Sequence, residues 1–147
     1  MKVLLPDKVN HMRGVAEYMF VNADKYGLDP DKMYTLGLLH DIGYIHNKDG
    51  HAGYGAELLN SLGFIYGDIV SWHGTSPKAY MMLNETQEIP KELILLWEAD
   101  LSVSPKGEYI GFDARLKDIG HRYGYNSKQY NIAKETVEWL RKKRLNF

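Results

Sequence analysis

The stretch Asp29-Pro30-Asp31-Lys32-Met33-Tyr34-Thr35-Leu36-Gly37-Leu38-Leu39-His40-Asp41-Ile42-Gly43, residues 29–43, decides how the rest of the chain is read. Asp29-Pro30 is a helix start: a short carboxylate side chain caps free amide protons, and proline suits the first helical position. Met33, Leu36 and Leu39 follow at three-residue steps, which places them on one helical face. The helix runs to Gly43, and just before its end stand a histidine and an aspartate, side by side.

Working outward, the same punctuation cuts the whole chain into helix-sized pieces. Pro6-Asp7 opens a first helix in which Val9, Met12, Ala16, Met19, Ala23 and Tyr26 share a face, with Gly27 as the stop. Asp49 is placed to cap a third helix carrying Ala52, Gly55, Leu59 and Leu62, closed by Gly63. A short piece runs from Gly67 to His73 and ends at Gly74. Residues 75–88 read as a loop with a helical turn after Ser76-Pro77. Pro90 opens a strong helix whose face carries Ile89, Leu93, Leu96 and Asp100. A loop over 102–111, with Pro105, Gly107 and Gly111, precedes two final helices, about 112–123 and 127–144, the last capped by Ser127. Val3-Leu4-Leu5 is the only strand-like piece and is too short to build a sheet. The expectation is an all-α, single-domain helical bundle of about six or seven helices over residues 1–147.

Composition excludes several classes. The chain has 147 residues, 44% apolar and 25% charged, with 18 Lys+Arg against 19 Asp+Glu and a net charge of -1. That is an ordinary globular balance, not a disordered tail and not a polyanion binder by bulk charge. Apolar runs reach only five residues, as in Leu93 to Trp97, against the roughly 20 that span a bilayer. The start, Met1 to Pro6, has no long apolar stretch like that of an export signal, which favours the cytoplasm. No cysteine is present, so disulfides, thiolate metal sites and cysteine nucleophiles are excluded.

Six histidines in a near-neutral chain of this length stand out. A single histidine at a helix boundary is ordinarily a surface group or a satisfied hydrogen-bonder. Asp100 is harder to dismiss, because a carboxylate in line with Ile89, Leu93 and Leu96 would be buried, far from any helix start that it could cap. Burial of an unpaired carboxylate costs several kcal/mol. His11, His40, His51 and His73 with Asp41 and Asp100 fall one or two to each successive helix and could converge at one point of a bundle. Imidazole and carboxylate suit Fe, Mn, Zn, Co or Ni, and the set holds no soft ligand. Adjacent helical residues point about 100° apart, so His40 and Asp41 share a centre only near a helix end or with the metal between them.

His11, His40-Asp41 and Asp100 resemble the H…HD…D pattern of the HD-domain metal-dependent phosphohydrolases, and Leu38-Leu39-His40-Asp41-Ile42-Gly43 is similar to the core of that family. His51 and His73 match the two extra histidines of its two-metal branch. The resemblance spans about residues 11–101 and implies an all-α fold. It implies a first metal held by His11, His40, Asp41 and Asp100, and a second by Asp41, His51 and His73, with Asp41 bridging. Catalysis would then rest on Asp41, His51 and His73, through a hydroxide shared by two ions that attacks phosphorus. Ala99-Asp100, then Tyr109-Ile110-Gly111-Phe112-Asp113 and Arg115, are similar to the bacterial symmetrical diadenosine tetraphosphate hydrolases, which implies a nucleotide or dinucleoside polyphosphate substrate. Tyr44 stands where many relatives carry lysine, and Lys106 where those hydrolases place an arginine.

Lys106, Arg115, Lys48 and Lys78 are the candidate substrate-binding cations, each also readable as a solvated surface charge. His46 reads as a loop residue and His121 as structural. Tyr44, Tyr54, Tyr66, Tyr80 and Tyr109 lie in or beside the candidate site loops, where one or two could stack on a purine or simply pack between helices. Trp72 reads as a wedge that holds the helix of His73. Tyr80-Met81-Met82-Leu83 reads as a lid, a homodimer contact or local packing. Arg141-Lys142-Lys143-Arg144 complements a helix C-terminus and implies no nucleic acid; nothing implies a membrane. The expected partner is a small phosphorylated molecule. Two other readings stand beside the phosphohydrolase: an HD-fold di-iron oxygenase with the same six ligands, and a non-catalytic nucleotide-binding or signalling module.

Overall fold

The structure, a computed structural model, describes residues 6–42, 59–60 and 66–145. Helix α1, Pro6–Asn22, buries Met12, Val15, Ala16 and Met19. It tightens into a 3₁₀ turn, Ala23–Tyr26, that buries Ala23 and Tyr26. Gly27 ends it at φ 69°, in the left-handed region that glycine enters without penalty. Val9, expected on the buried face, is 37% exposed.

Helix α2, Pro30–Leu39, starts as its sequence dictates, with Asp29 Oδ1 accepting from the amides of Asp31 (2.9 Å) and Lys32 (3.2 Å). It packs closely on α1. A Cβ at Gly37 would lie 2.7 Å from the Ala16 Cα, so this crossing requires glycine. The expected helix from Asp49 to Gly63 falls mostly outside the described residues; Leu59 and Asn60 within it are helical, and Leu59 is buried.

Helix α3, Gly67–Trp72, ends at His73. Helix α4, Pro77–Leu83, has Ser76 Oγ accepting from the Ala79 amide and is about two turns long, where one turn in a loop was expected. Helix α5, Lys91–Asp100, is the centre of the fold: all seven residues from Leu93 to Ala99 are buried. A helix buried all round must be packed on several sides, and α5 touches α1, α2, α3 and α7. Its buried Glu98 is held by Lys25 Nζ at 3.2 Å and by the Tyr26 hydroxyl at 3.5 Å. Helices α6, Gly111–Tyr123, and α7, Lys128–Leu145, complete the bundle, with Ser127 Oγ capping α7 through the Tyr130 amide. The fold is all-α.

The loop after α5 is more ordered than its proline and glycines suggest. Val103 and Tyr109 form an isolated antiparallel bridge, and the Ser104 amide donates to the Glu108 carbonyl at 2.7 Å. This small hairpin lies directly on α1: a Cβ at Gly14 would meet the Gly107 carbonyl and Val103.

Candidate metal centre

Five of the six expected ligands are described, and all five converge. His11 comes from α1, His40 and Asp41 from the end of α2, His73 from the end of α3, and Asp100 is the last residue of α5. His11, His40, Asp41 and His73 are buried. Asp100, expected buried, keeps 23% of its side chain exposed, because the helix stops there and the carboxylate looks out over its end. His51 lies outside the described residues.

Each histidine is aimed in the same way. His11 Nδ1 donates to the Ser104 carbonyl at 3.0 Å, His40 Nδ1 to the Gly37 carbonyl at 2.6 Å, and His73 Nδ1 to the Val70 carbonyl at 2.6 Å. A carbonyl only accepts, so the proton of a neutral ring is fixed on Nδ1 and the Nε2 lone pair points inward. What faces those lone pairs is carboxylate. His11 Nε2 is 2.7 Å from Asp100 Oδ1; His40 Nε2 is 3.4 Å from the same oxygen and 3.2 Å from Asp41 Oδ2; His73 Nε2 is 3.3 Å from Asp41 Oδ1. Lone pairs facing lone pairs repel unless a cation or a proton lies among them.

His40 shows this most clearly. Its Nε2 is buried and has no hydrogen-bond partner, although two carboxylates stand close. Burial alone would lower its pKa, but Asp41 and Asp100 outweigh burial and push it from the usual 6.5 to about 10. Burial likewise works to raise Asp100, and the imidazoles of His11 and His40 beside it overcome burial, holding that carboxyl well below its usual range. Two triads have ligand atoms all within 4.8 Å of one another: His11, His40 and Asp100, and His40, Asp41 and His73. Asp41 offers one oxygen to His40 and the other to His73. Imidazole and carboxylate in this arrangement fit a divalent metal, and the orienting carbonyls are the usual outer support of such ligands.

The expected cations fare unequally. Arg115 reaches the centre: its Nε donates to the Asp100 carbonyl at 3.1 Å and one NH group lies 4.0 Å from Asp100 Oδ1. Its other NH group is bound to Asp118 at 2.9 Å, so the guanidinium braces the end of α5. Lys78 and Lys106 are exposed, and neither forms a hydrogen bond or ion pair with the five described ligands. Lys48, His46, Tyr44 and Tyr54 lie outside the described residues. His121 is exposed and edge-on to Tyr125. Tyr109 is exposed and stacked on Tyr18 with the rings 4° from parallel, and Tyr80 packs against Trp72. Trp72 is packed against the core beside His73, and Trp97 adds a second hold, its Nε1 donating to the His73 carbonyl at 3.1 Å.

Sequence reasoning passed over Lys8. Its Nζ is 3.4 Å from Asp41 Oδ2. The signal was its position three residues before His11, which puts both on one side of α1.

Residues 9–102, well over half of the chain, match the family model described as HD domain. Searches of curated proteins and of solved structures give no match.

Proposed function

The chain belongs to the HD-domain family, and from that premise we propose that it is a metal-dependent phosphohydrolase acting on a nucleotide or dinucleoside polyphosphate. The observation that carries this reading is the convergence of the Nε2 atoms of His11, His40 and His73 on the oxygens of Asp41 and Asp100, with His40 Nε2 left unpartnered. His11, His40, Asp41 and Asp100 would hold one ion, and Asp41 and His73, with His51, a second. Bound there, such ions lower the pKa of water and neutralise charge on a phosphoryl group under attack.

The protein's own residues supply the rest. The carbonyls of Ser104, Gly37 and Val70 keep each imidazole in the tautomer that leaves Nε2 open. Trp97 holds the backbone of His73, and Arg115 that of Asp100. The partial exposure of Asp100 leaves the centre a solvent side from which a phosphate can approach. The nucleotide part of the proposal rests on the sequence likeness around Tyr109–Arg115.

The test is metal content by mass spectrometry on protein purified without chelator or nickel column, with a phosphate-release screen over nucleotides on the same sample. About two transition-metal ions per chain and release from one nucleotide class would support the proposal. Bound iron, oxygen consumption and no phosphate release would replace it with the oxygenase. Tight nucleotide binding without turnover under any metal would replace it with a binding module.

A further inference from the structure

Two cations reach the ligand carboxylates among the described residues, Arg115 and Lys8. Arg115 is engaged by Asp118 and by the Asp100 carbonyl. Lys8 differs in placement. Its side chain is 28% exposed while that of Asp41, 3.4 Å from its ammonium, is 6% exposed. Lys8 therefore comes to the cluster from the solvent side, whereas His40 comes from full burial. It sits three residues before His11 on α1, so it is carried on the same helix that delivers a ligand.

The charges around Lys8 define what it does. Two carboxylates, Asp41 and Asp100, lie within one cluster of imidazoles, and Lys8 supplies a positive charge beside Asp41. Ions held by His11, His40, Asp41, His73 and Asp100 would take over the neutralisation of Asp41. The Lys8 ammonium then stands at the rim of a centre rich in positive charge, three donors on a flexible stem. The chemistry that such a rim accepts is an anion with several oxygens. We infer that Lys8 changes partners: it is the counter-ion of Asp41 when no ion is bound, and the binding cation for a phosphate group of the substrate when the centre is loaded. This rests on the phosphohydrolase reading and adds to it the residue that recognises the phosphate.

The test loads wild type, Lys8→Ala and Lys8→Arg with manganese, measures ion content by mass spectrometry, and titrates each with inorganic phosphate by calorimetry. All three should hold the same ion content. Lys8→Ala should bind phosphate about tenfold more weakly or worse, the loss of one charge-assisted contact, and Lys8→Arg should recover most of it. Lys8→Ala with full ion content and wild-type phosphate affinity would overturn the inference, leaving Lys8 a counter-ion only. Loss of manganese from Lys8→Ala would also overturn it, because Lys8 would then act on the assembly of the centre. Wild type that takes up manganese and binds no phosphate would overturn the phosphohydrolase reading itself. That arm is read on wild type alone, so the two failures are distinct.

Discussion

At the scale of single residues, Asp41 is the most exacting position, because its two oxygens serve two different imidazoles. Asp41→Ala is expected to lose bound metal and to reduce phosphate release by more than about 100-fold, a larger effect than removing an outer support; a variant with full metal content and full rate would refute its role. Protons compete for the same place. With no ion bound, the raised pKa of His40, about 10, means that its ring holds a second proton across the neutral range. A metal must displace that proton, so apparent metal affinity should rise about tenfold per pH unit from pH 7 towards 10, measurable by competition with a chelating dye. Stability of the chelated protein follows the same groups. The His40 contribution is complete below 6.5 and is lost as pH rises towards about 10. The Asp100 contribution is complete above its usual value of 3.8 and is lost as pH falls below it. Thermal midpoints of the chelated protein should therefore be highest between about pH 4 and 6.5 and decline on both sides. Much of this centre was legible, since His40-Asp41 and Asp100 are polar groups at the ends of apolar faces. Lys8 and Glu98 were not. A lysine in a first helical turn resembles any surface charge, and Glu98 is made tolerable by Lys25, 73 positions away.

At the scale of elements, the ends of helices do the positioning. His40, His73 and Asp100 all stand where a helix stops, so a ligand's aim depends on where its helix lies. Gly37 tests this. A Cβ there would press on the Ala16 backbone, so Gly37→Ala should push α2 from α1 and shift the carbonyl that orients His40. The expected cost is about 1–3 kcal/mol in chemical denaturation, with weakened metal binding. Caps were the readable part of the elements: Asp29, Ser76 and Ser127 each begin a helix as their side chains require. The hairpin at Val103–Tyr109 was not readable, because its single bridge is closed by backbone bonds and its seat on α1 needs two glycines, Gly14 and Gly107, that meet only in three dimensions.

At the scale of the whole molecule, the centre ties α1, α2, α3 and α5 together at one point. An ion there is a cross-link between segments that otherwise meet through apolar packing. At about 100 times its dissociation constant it should stabilise the fold by about 2.7 kcal/mol, so chelation should lower the melting temperature by roughly 10 °C, read by calorimetry with and without chelator. The all-α class was legible because helix starts, stops and apolar faces agree along the chain. The sequence read this helix as having one apolar face, Ile89, Leu93, Leu96 and Asp100, whereas every residue from Leu93 to Ala99 is buried, because neighbours distant in the chain enclose it on several sides.

The contact between His11 and Asp100 spans 89 positions, and this sets an order of events during synthesis. A growing chain that has not yet reached Asp100 already carries His11, His40, Asp41 and His73, yet lacks the carboxylate that faces His11 and the Ser104 carbonyl that aims it. The fold is therefore one in which the nascent chain displays His11, His40, Asp41 and His73 before the part of the centre built on His11 and Asp100 can form. That part is complete only once α5 and its hairpin have emerged and folded back on the first helix.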